Sequence, residues 1–426
     1  MANILKFNTL FFALLIFLPA KQVFAISLFE VLEEALNTNV QVSMANFNLK
    51  SQSEGLNQLL AKKKPSISAN FSGDGDWDLK TDLDSHSFLA GITGRYTLFD
   101  GNLIDHQIAA ETFRINALEA EYEGVKQKVI YEAIIAYLNV LRDTKLVDLS
   151  IKNVSVLKQQ LAATESRFQL GELTRTDLAQ AQAALEASIS VLESRKGVLY
   201  LANRAFETAV GIKPVDLDAN INLPKLPMTE IVAKESATKS NTELRASRML
   251  EKRARKLVAA SKSKSLPTLN FTTSLTGGET STQRDFANIG ISLNGSVPLY
   301  TGGSIQSAEQ EAQANLELSM VNGEIVRLKV EQAVVTAWSD YQVSSAIIIA
   351  KTREVEATEL AYLGTLEETR LGARTILDVL NAEKNLMNAQ TNLETAKRNR
   401  LAAGYRVLFE IGALVPALFG NDRIIN

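Results

Sequence analysis

Two hydrophobic periods alternate along the chain. Residues 27–64 have helical spacing, with Leu28, Val31, Leu32, Ala35 and Leu36 on one face, and Lys62-Lys63-Lys64-Pro65 ends the run. The period then becomes two. Ile67, Ala69, Phe71, Gly73, Gly75, Trp77 and Leu79 share one face, and Ser66, Ser68, Asn70, Ser72, Asp74, Asp76, Asp78 and Lys80 share the other. Residues 87–98 repeat the alternation, with Phe88, Ala90, Ile92, Gly94, Tyr96 and Leu98 against Thr93, Arg95 and Thr97. Further on, Leu269, Phe271, Thr273 and Leu275 alternate with polar residues, as do Ile289, Ile291, Leu293 and Val297. The pattern predicts four half-apolar strands in two hairpins, 66–99 and 268–300. Strands that cross an outer membrane need about 9–11 residues, apolar toward lipid and polar toward the lumen. An ordinary half-buried sheet would show the same alternation. Aromatic residues near the strand ends (Trp77, Phe88, Tyr96, Phe286, Tyr300) favour the membrane setting.

Each second hairpin strand runs into a long helical stretch, through Asp100-Gly101-Asn102 and through Thr301-Gly302-Gly303. Ile104, Ile108, Ile115, Leu118, Tyr122, Val125, Val129 and Ala136 keep three/four spacing, and no proline intervenes before Gly171. A helix of that length reaches roughly 100 Å, far beyond one globular core, and predicts a coiled-coil-like assembly. Gly124 and Gly323 are candidate bends. Gly171 and Gly372 stand where a helix-terminating glycine belongs. Beyond them Leu178, Leu185, Leu192, Leu199 and Phe206 recur every seven residues, as do Ala382, Ala389, Ala396 and Ala403.

The two halves are copies. Leu170-Gly-Glu-Leu-Thr-Arg-Thr-Asp-Leu178 returns as Leu371-Gly-Ala-Arg-Thr-Ile-Leu-Asp-Val379, with 201 positions separating Gly171 from Gly372 and Gly211 from Gly412. Upstream the offset is 202, pairing Pro65 with Pro267 and Asn39 with Asn241. A constant offset of this kind marks an internal duplication. The expected organisation is a signal peptide at 1–25, a first repeat at 26–212, a proline-bearing linker at 213–227, a second repeat at 228–412 and a tail at 413–426. The signal rests on Lys6, the apolar run at 10–18 and Val23-Phe24-Ala25 before the cut.

Composition narrows the chemistry. The 426 residues hold no cysteine and two histidines, and the net charge is −3. A disulfide scaffold and a lipid-modified N-terminal cysteine are excluded, a zinc site is disfavoured, and no nucleic-acid partner is expected. Asp74, Asp76 and Asp78 lack the glycine and distal glutamate of a calcium loop. His86 and His106 stand alone, and no phosphate-binding loop or nucleophile elbow occurs, so neither an enzyme nor a cofactor is expected. Four strands cannot close a barrel, and an open edge in lipid leaves backbone groups unpaired, so several copies must pool their strands. Three copies would give twelve, an even count for a closed barrel. A coiled-coil structural or adaptor protein of the periplasm or cell surface would explain the helices but not the strands.

The run from Gly372 to Ala382, Gly-Ala-Arg-Thr-Ile-Leu-Asp-Val-Leu-Asn-Ala, closely resembles the TolC family of outer-membrane efflux and type I secretion channels. The duplication, the hairpins and the signal agree with it. The resemblance implies a mainly α chain with a membrane β part: a homotrimer with a twelve-stranded barrel in the outer membrane lipid and a helical tunnel in the periplasm. The implied partners are a periplasmic adaptor (membrane fusion protein), docking at the helical turns marked by Gly171 and Gly372, and an inner-membrane transporter of the RND, ABC or MFS type. It also implies that Asp378 lines the entrance as an acidic ring, with Asn381 where the family often has a second Asp. Arg374 matches the family arginine that holds the entrance shut, and Thr176 and Asp177 match its partners. Thr369 stands at the gate tyrosine position, so part of the latch is replaced; Arg370, Glu367 and Glu368 are candidate substitutes. Thr174-x-x-Asp177 and Thr375-x-x-Asp378 also read as capping boxes, a structural role for both aspartates.

Overall fold

The computed structural model describes residues 26–78 and 83–418. The expected signal peptide and the last eight residues of the expected tail lie outside the described residues. Helices α1 (Leu28–Thr38) and α2 (Val40–Ala61) lead into strands β1 (Ser66–Asp78) and β2 (Leu83–Phe99), then helices α3 (Leu103–Gln169) and α4 (Arg175–Val210). The order repeats as α5 (Glu230–Ser240), α6 (Thr242–Ser263), β3 (Thr268–Thr280), β4 (Phe286–Ser296), α7 (Ser304–Arg370) and α8 (Ile376–Glu410). The four strands form one antiparallel sheet in the order β1-β2-β3-β4. Across it Ile67 faces Gly94, Ile92 faces Leu275, and Leu275 faces Ile289, so the apolar positions share one side.

One expectation needs correction. The helical run at 27–64 is not one helix but two, and the run from 228 is likewise split. Asn39 and Asn241 interrupt them in an extended conformation, and each side-chain oxygen accepts from the first turn of the following helix (Gln41 N at 2.8 Å, Leu244 N at 3.0 Å). Asparagine competes with the helical backbone in this way, and capping favours the break. Gly124 does not interrupt α3, which runs through it as one helix. A Cβ there would lie 2.8 Å from Thr242 Oγ1, so the missing side chain admits the start of α6.

The long helices α3 and α7 have 67 residues each, about 100 Å at 1.5 Å per residue. The main core sits midway along them. Val31 and Leu32 of α1, Ile130, Ile134 and Tyr137 of α3, Phe206 of α4, Val334 of α7 and Tyr405 of α8 meet there, nearly free of solvent. The segment 213–227 is strapped across this core. Tyr137 donates its hydroxyl to the carbonyls of Ile26 (3.2 Å) and Asp218 (2.7 Å), and Tyr405 donates to Asn222 (3.2 Å).

The duplication also exposes what one chain lacks. α3 packs on α6 and α8, and β2 pairs with β3. The equivalent contacts of the other copy would join α7 to α2 and α4, and β4 to β1. α7 has no comparable packing against either helix, and β1 and β4 are the two open edges of the sheet. Leu318, Val321, Ile325 and Leu328 consequently form an exposed stripe on α7, and Val40, Met44 and Phe47 are exposed on α2.

Candidate functional site

The sites singled out in the sequence gather at the far ends of the long helices, where α3 turns into α4 and α7 into α8. Both turns close with a left-handed glycine, Gly171 at φ 77° and Gly372 at φ 78°. In each, paired bonds satisfy the last carbonyls. Gly171 N donates to Phe168 O (2.9 Å) and Glu172 N to Arg167 O (3.0 Å); Gly372 N donates to Thr369 O (3.2 Å) and Ala373 N to Glu368 O (2.8 Å). That is the Schellman arrangement, and it explains why glycine recurs at this point of both copies.

The next helices start with full capping boxes. Asp177 N donates to Thr174 Oγ1 (3.2 Å) while Thr174 N donates to an Asp177 carboxylate oxygen (2.9 Å). Thr375 and Asp378 repeat this at 3.2 and 3.0 Å. The Thr174 and Thr375 hydroxyls also donate to these carboxylates, both at 2.7 Å. The same bonds hold both carboxyls below the usual aspartate range, chiefly through the Thr174 side chain at Asp177 and the Thr375 backbone at Asp378. Both are therefore fixed anions at neutral pH.

Within one chain Arg374 does not reach Thr176 or Asp177. Its Nε donates to a Glu368 oxygen at 2.9 Å, and Arg370 pairs with Glu367 at 3.1 Å. The Glu368 hydrogen bond, then the charges of Glu368 and Asp378, push the Arg374 guanidinium further above its ordinary value. Thr176 and Asn381 are exposed, and their side chains carry no hydrogen bond among the described residues. Thr369 is buried, and its hydroxyl donates to Thr365 O at 2.8 Å, the ordinary back-bond of a helical threonine. The two turns are joined behind their tips by Val154, Leu157, Leu185, Ile376 and Leu380, so the start of α8 is seated on α3 and α4.

One titratable residue here escaped the sequence reading. Glu383 of α8 is only 7% exposed, seven positions beyond Ile376 on the same buried stripe. It lines a concavity of about 250 Å³ with Leu149 and Val156 of α3, Tyr362 of α7 and Met387 of α8; Lys152 also borders it, without an ion pair. Burial pushes its carboxyl up to about 7. A charge at a core position of the stripe was the available signal.

A family model described as outer membrane efflux protein matches residues 31–211 and 234–412, one segment per repeat. The outer membrane efflux protein BepC of Brucella suis biovar 1 (strain 1330) is 27% identical over 394 residues, which cover 91% of this chain and 86% of BepC. The outer membrane protein TolC of Escherichia coli (strain K12) is 26% identical over 314 residues, covering 70% of this chain and 64% of TolC. Among solved structures, a crystal structure of CusC superposes with a TM-score of 0.82 at 18% identity, covering 90% of this chain and 92% of that one.

Proposed function

Because the chain belongs to the outer membrane efflux protein family, the TolC family, we propose that copies of it close head to tail into a single duct, with β1 to β4 in the outer membrane and α3, α4, α7 and α8 in the periplasm. The protein is an outer-membrane exit channel for efflux or type I secretion. The observation that carries the ring is the set of three contacts present once per chain where the duplication demands two. The open β4 edge fits the β1 edge of a neighbour, and the exposed stripe of α7 fits the neighbour's α2 and α4. A head-to-tail interface of this type closes into a ring when the rotation per copy divides a full turn. Three copies give twelve strands, enough to close a barrel. The channel works with a periplasmic adaptor and an inner-membrane transporter; co-purification after cross-linking in the native cell assigns the transporter to the RND, ABC or MFS class. Chemical cross-linking in detergent is expected to yield trimers that conduct in planar bilayers; a monomer that leaves bilayers impermeable would overturn this reading.

The turns form the entrance, and Gly171 and Gly372 shape the tips that meet the partners. Arg374 latches the α7–α8 turn through Glu368, and across a subunit boundary it is offered to Asp177 and Thr176 of a neighbour. Arg370 with Glu367 adds a second pair, and Thr369 leaves the tyrosine part of the latch unfilled. Arg374→Ala is expected to raise mean single-channel conductance or open time by up to about fivefold, the scale of a weak exposed pair. Conductance equal to that of the parent would remove the latch role.

Asp378 of each copy supplies the anionic ring, and Asn381, one turn on, leaves it single. Asp378→Asn keeps an acceptor for Thr375 and removes only the charge. The cation-to-anion permeability ratio is expected to fall by about twofold or more. Unchanged reversal potentials in a KCl gradient would show that Asp378 is a cap alone.

A further inference from the structure

Where α2 and α6 meet the barrel, some basic residues are paired and others are not. Lys63 pairs with Asp105, and Lys262 with Glu309 at 3.5 Å. Lys62, Lys64 and Arg95 have no ion pair among the described residues, and these three line one concavity of about 550 Å³. Its other walls include Gln58, Asn270 and Thr272, and no acidic side chain borders it. Thr97 donates its hydroxyl to Asn270 Oδ1 at 3.0 Å, which leaves the amide NH2 of Asn270 as a further donor.

The register fixes which side this is. Arg95 faces Ser66 on β1 and Thr272 on β3, on the side that carries Ser68, Asn70 and Asn270. Ile67, Ile92, Phe271 and Leu275 occupy the opposite side. In a membrane barrel the polar side faces the lumen. The duplication supplies an internal control. Thr268 on β3 faces Ser296 on β4, as Ser66 faces Arg95, and Lys64 corresponds to Leu266. Folding of this junction therefore requires neither Arg95 nor a lysine at 64. A lysine after a helix end also complements the helix dipole, which accounts for Lys62 but not for an arginine on a strand.

We infer that Lys62, Lys64 and Arg95 form an anion-binding site on the lumen wall at the base of the barrel, taking solutes that carry phosphate or clustered carboxylate groups. The inference rests on the channel reading above. In a trimer the three cations per chain make a ring of nine, at the opposite end of the tunnel from Asp378. Unpaired cations in a confined lumen raise the local concentration of polyanions. Arginine adds a planar fork suited to phosphate and carboxylate oxygens.

The test uses the full trimer and inorganic pyrophosphate. In bilayers of phosphatidylcholine alone, pyrophosphate is expected to reduce the KCl current, and Lys62→Gln/Lys64→Gln/Arg95→Gln is expected to raise the half-blocking concentration about tenfold or more. The charge-preserving Lys62→Arg/Lys64→Arg/Arg95→Lys should keep the block. Calorimetric titration of pyrophosphate into detergent-solubilised trimer reads the same site without a current and without a lipid headgroup. Equal block and equal binding in the wild type and the Gln variant would overturn the site. Binding that depends on the three residues without any conductance would overturn the channel reading and leave the site standing.

Discussion

Replacing Gly412 with alanine is expected to destabilise the protein by at least about 3 kcal/mol and to deplete the assembled channel. Gly412 lies in the left-handed region at φ 76° where α8 ends. An alanine there meets two independent penalties. The left-handed conformation costs a residue with a Cβ about 1–2 kcal/mol. The Cβ would also lie 2.4 Å from Ser240 O and 2.8 Å from Asn241 Cα, both backbone atoms. These atoms cannot step aside, because Asn241 donates to Glu410 O at 2.9 Å and Gln127 donates to Gly412 O at 3.0 Å, tying α3, α6 and α8 together at this point. Its counterpart Gly211, at φ 90°, differs in one respect: the nearest atom to an added Cβ is the Thr38 hydroxyl, at 2.6 Å. The hydroxyl can rotate away, at the expense of its bonds to Glu34 O and Val210 O, but Thr38 Cβ, at 2.9 Å, moves only if α1 shifts slightly. Gly211→Ala is therefore expected to cost more than the about 1–2 kcal/mol of the left-handed conformation, but less than Gly412→Ala, whose clash is with backbone. Thermal unfolding of the detergent-solubilised variants checks both; equal losses would show that the backbone contact at Ser240 is not what sets the difference.

Glu383→Gln is expected to stabilise the protein at pH 8 and to do little at pH 4.5. The folded carboxyl is raised to about 7 by burial, and an unfolded glutamate titrates near 4.3. Between these values the folded chain holds a proton that the unfolded chain has released. Stability contributed through this group is thus greatest below about pH 4.3, declines as the pH rises toward 7, and is lost above it. Glutamine keeps the size and removes the charge, so the gain at pH 8 is about 1–3 kcal/mol per chain, set by the size of the shift. Lys152 of α3 and Tyr362 of α7 are the other titratable groups on this concavity. Melting temperatures of parent and variant at the two pH values decide the matter; a gain of equal size at both would trace the effect to packing rather than to a buried charge. Glu383 lies little more than one turn beyond Asp378 on α8.

The entrance itself was only partly legible. The recurrence of Gly171 as Gly372 and of Thr174/Asp177 as Thr375/Asp378 located the turns and their caps, because glycine termination and capping are local chemistry. The partner of Arg374 depended on how the turn folds. Within the chain it is Glu368, six residues back across the turn, and no periodicity distinguishes that acid from Asp177. Glu383 and the three cations at the barrel base escaped for the same reason: a charge acquires its role from what surrounds it, and those surroundings come from other helices and strands.

By itself, the sequence determined the duplication, the four strands and their apolar face, and the two helices of 67 residues. These follow from spacing along one segment, which backbone geometry converts directly into a face. Only the tertiary structure decided which neighbour covers each face. It split the first and fifth helices from their successors at Asn39 and Asn241, fastened residues 213–227 under Tyr137 and Tyr405, and covered a face of α3 whose counterpart on α7, from Leu318 to Leu328, it left exposed. Two equivalent segments can differ so much because burial belongs to pairs of elements, and a single chain supplies one set of partners for both helices.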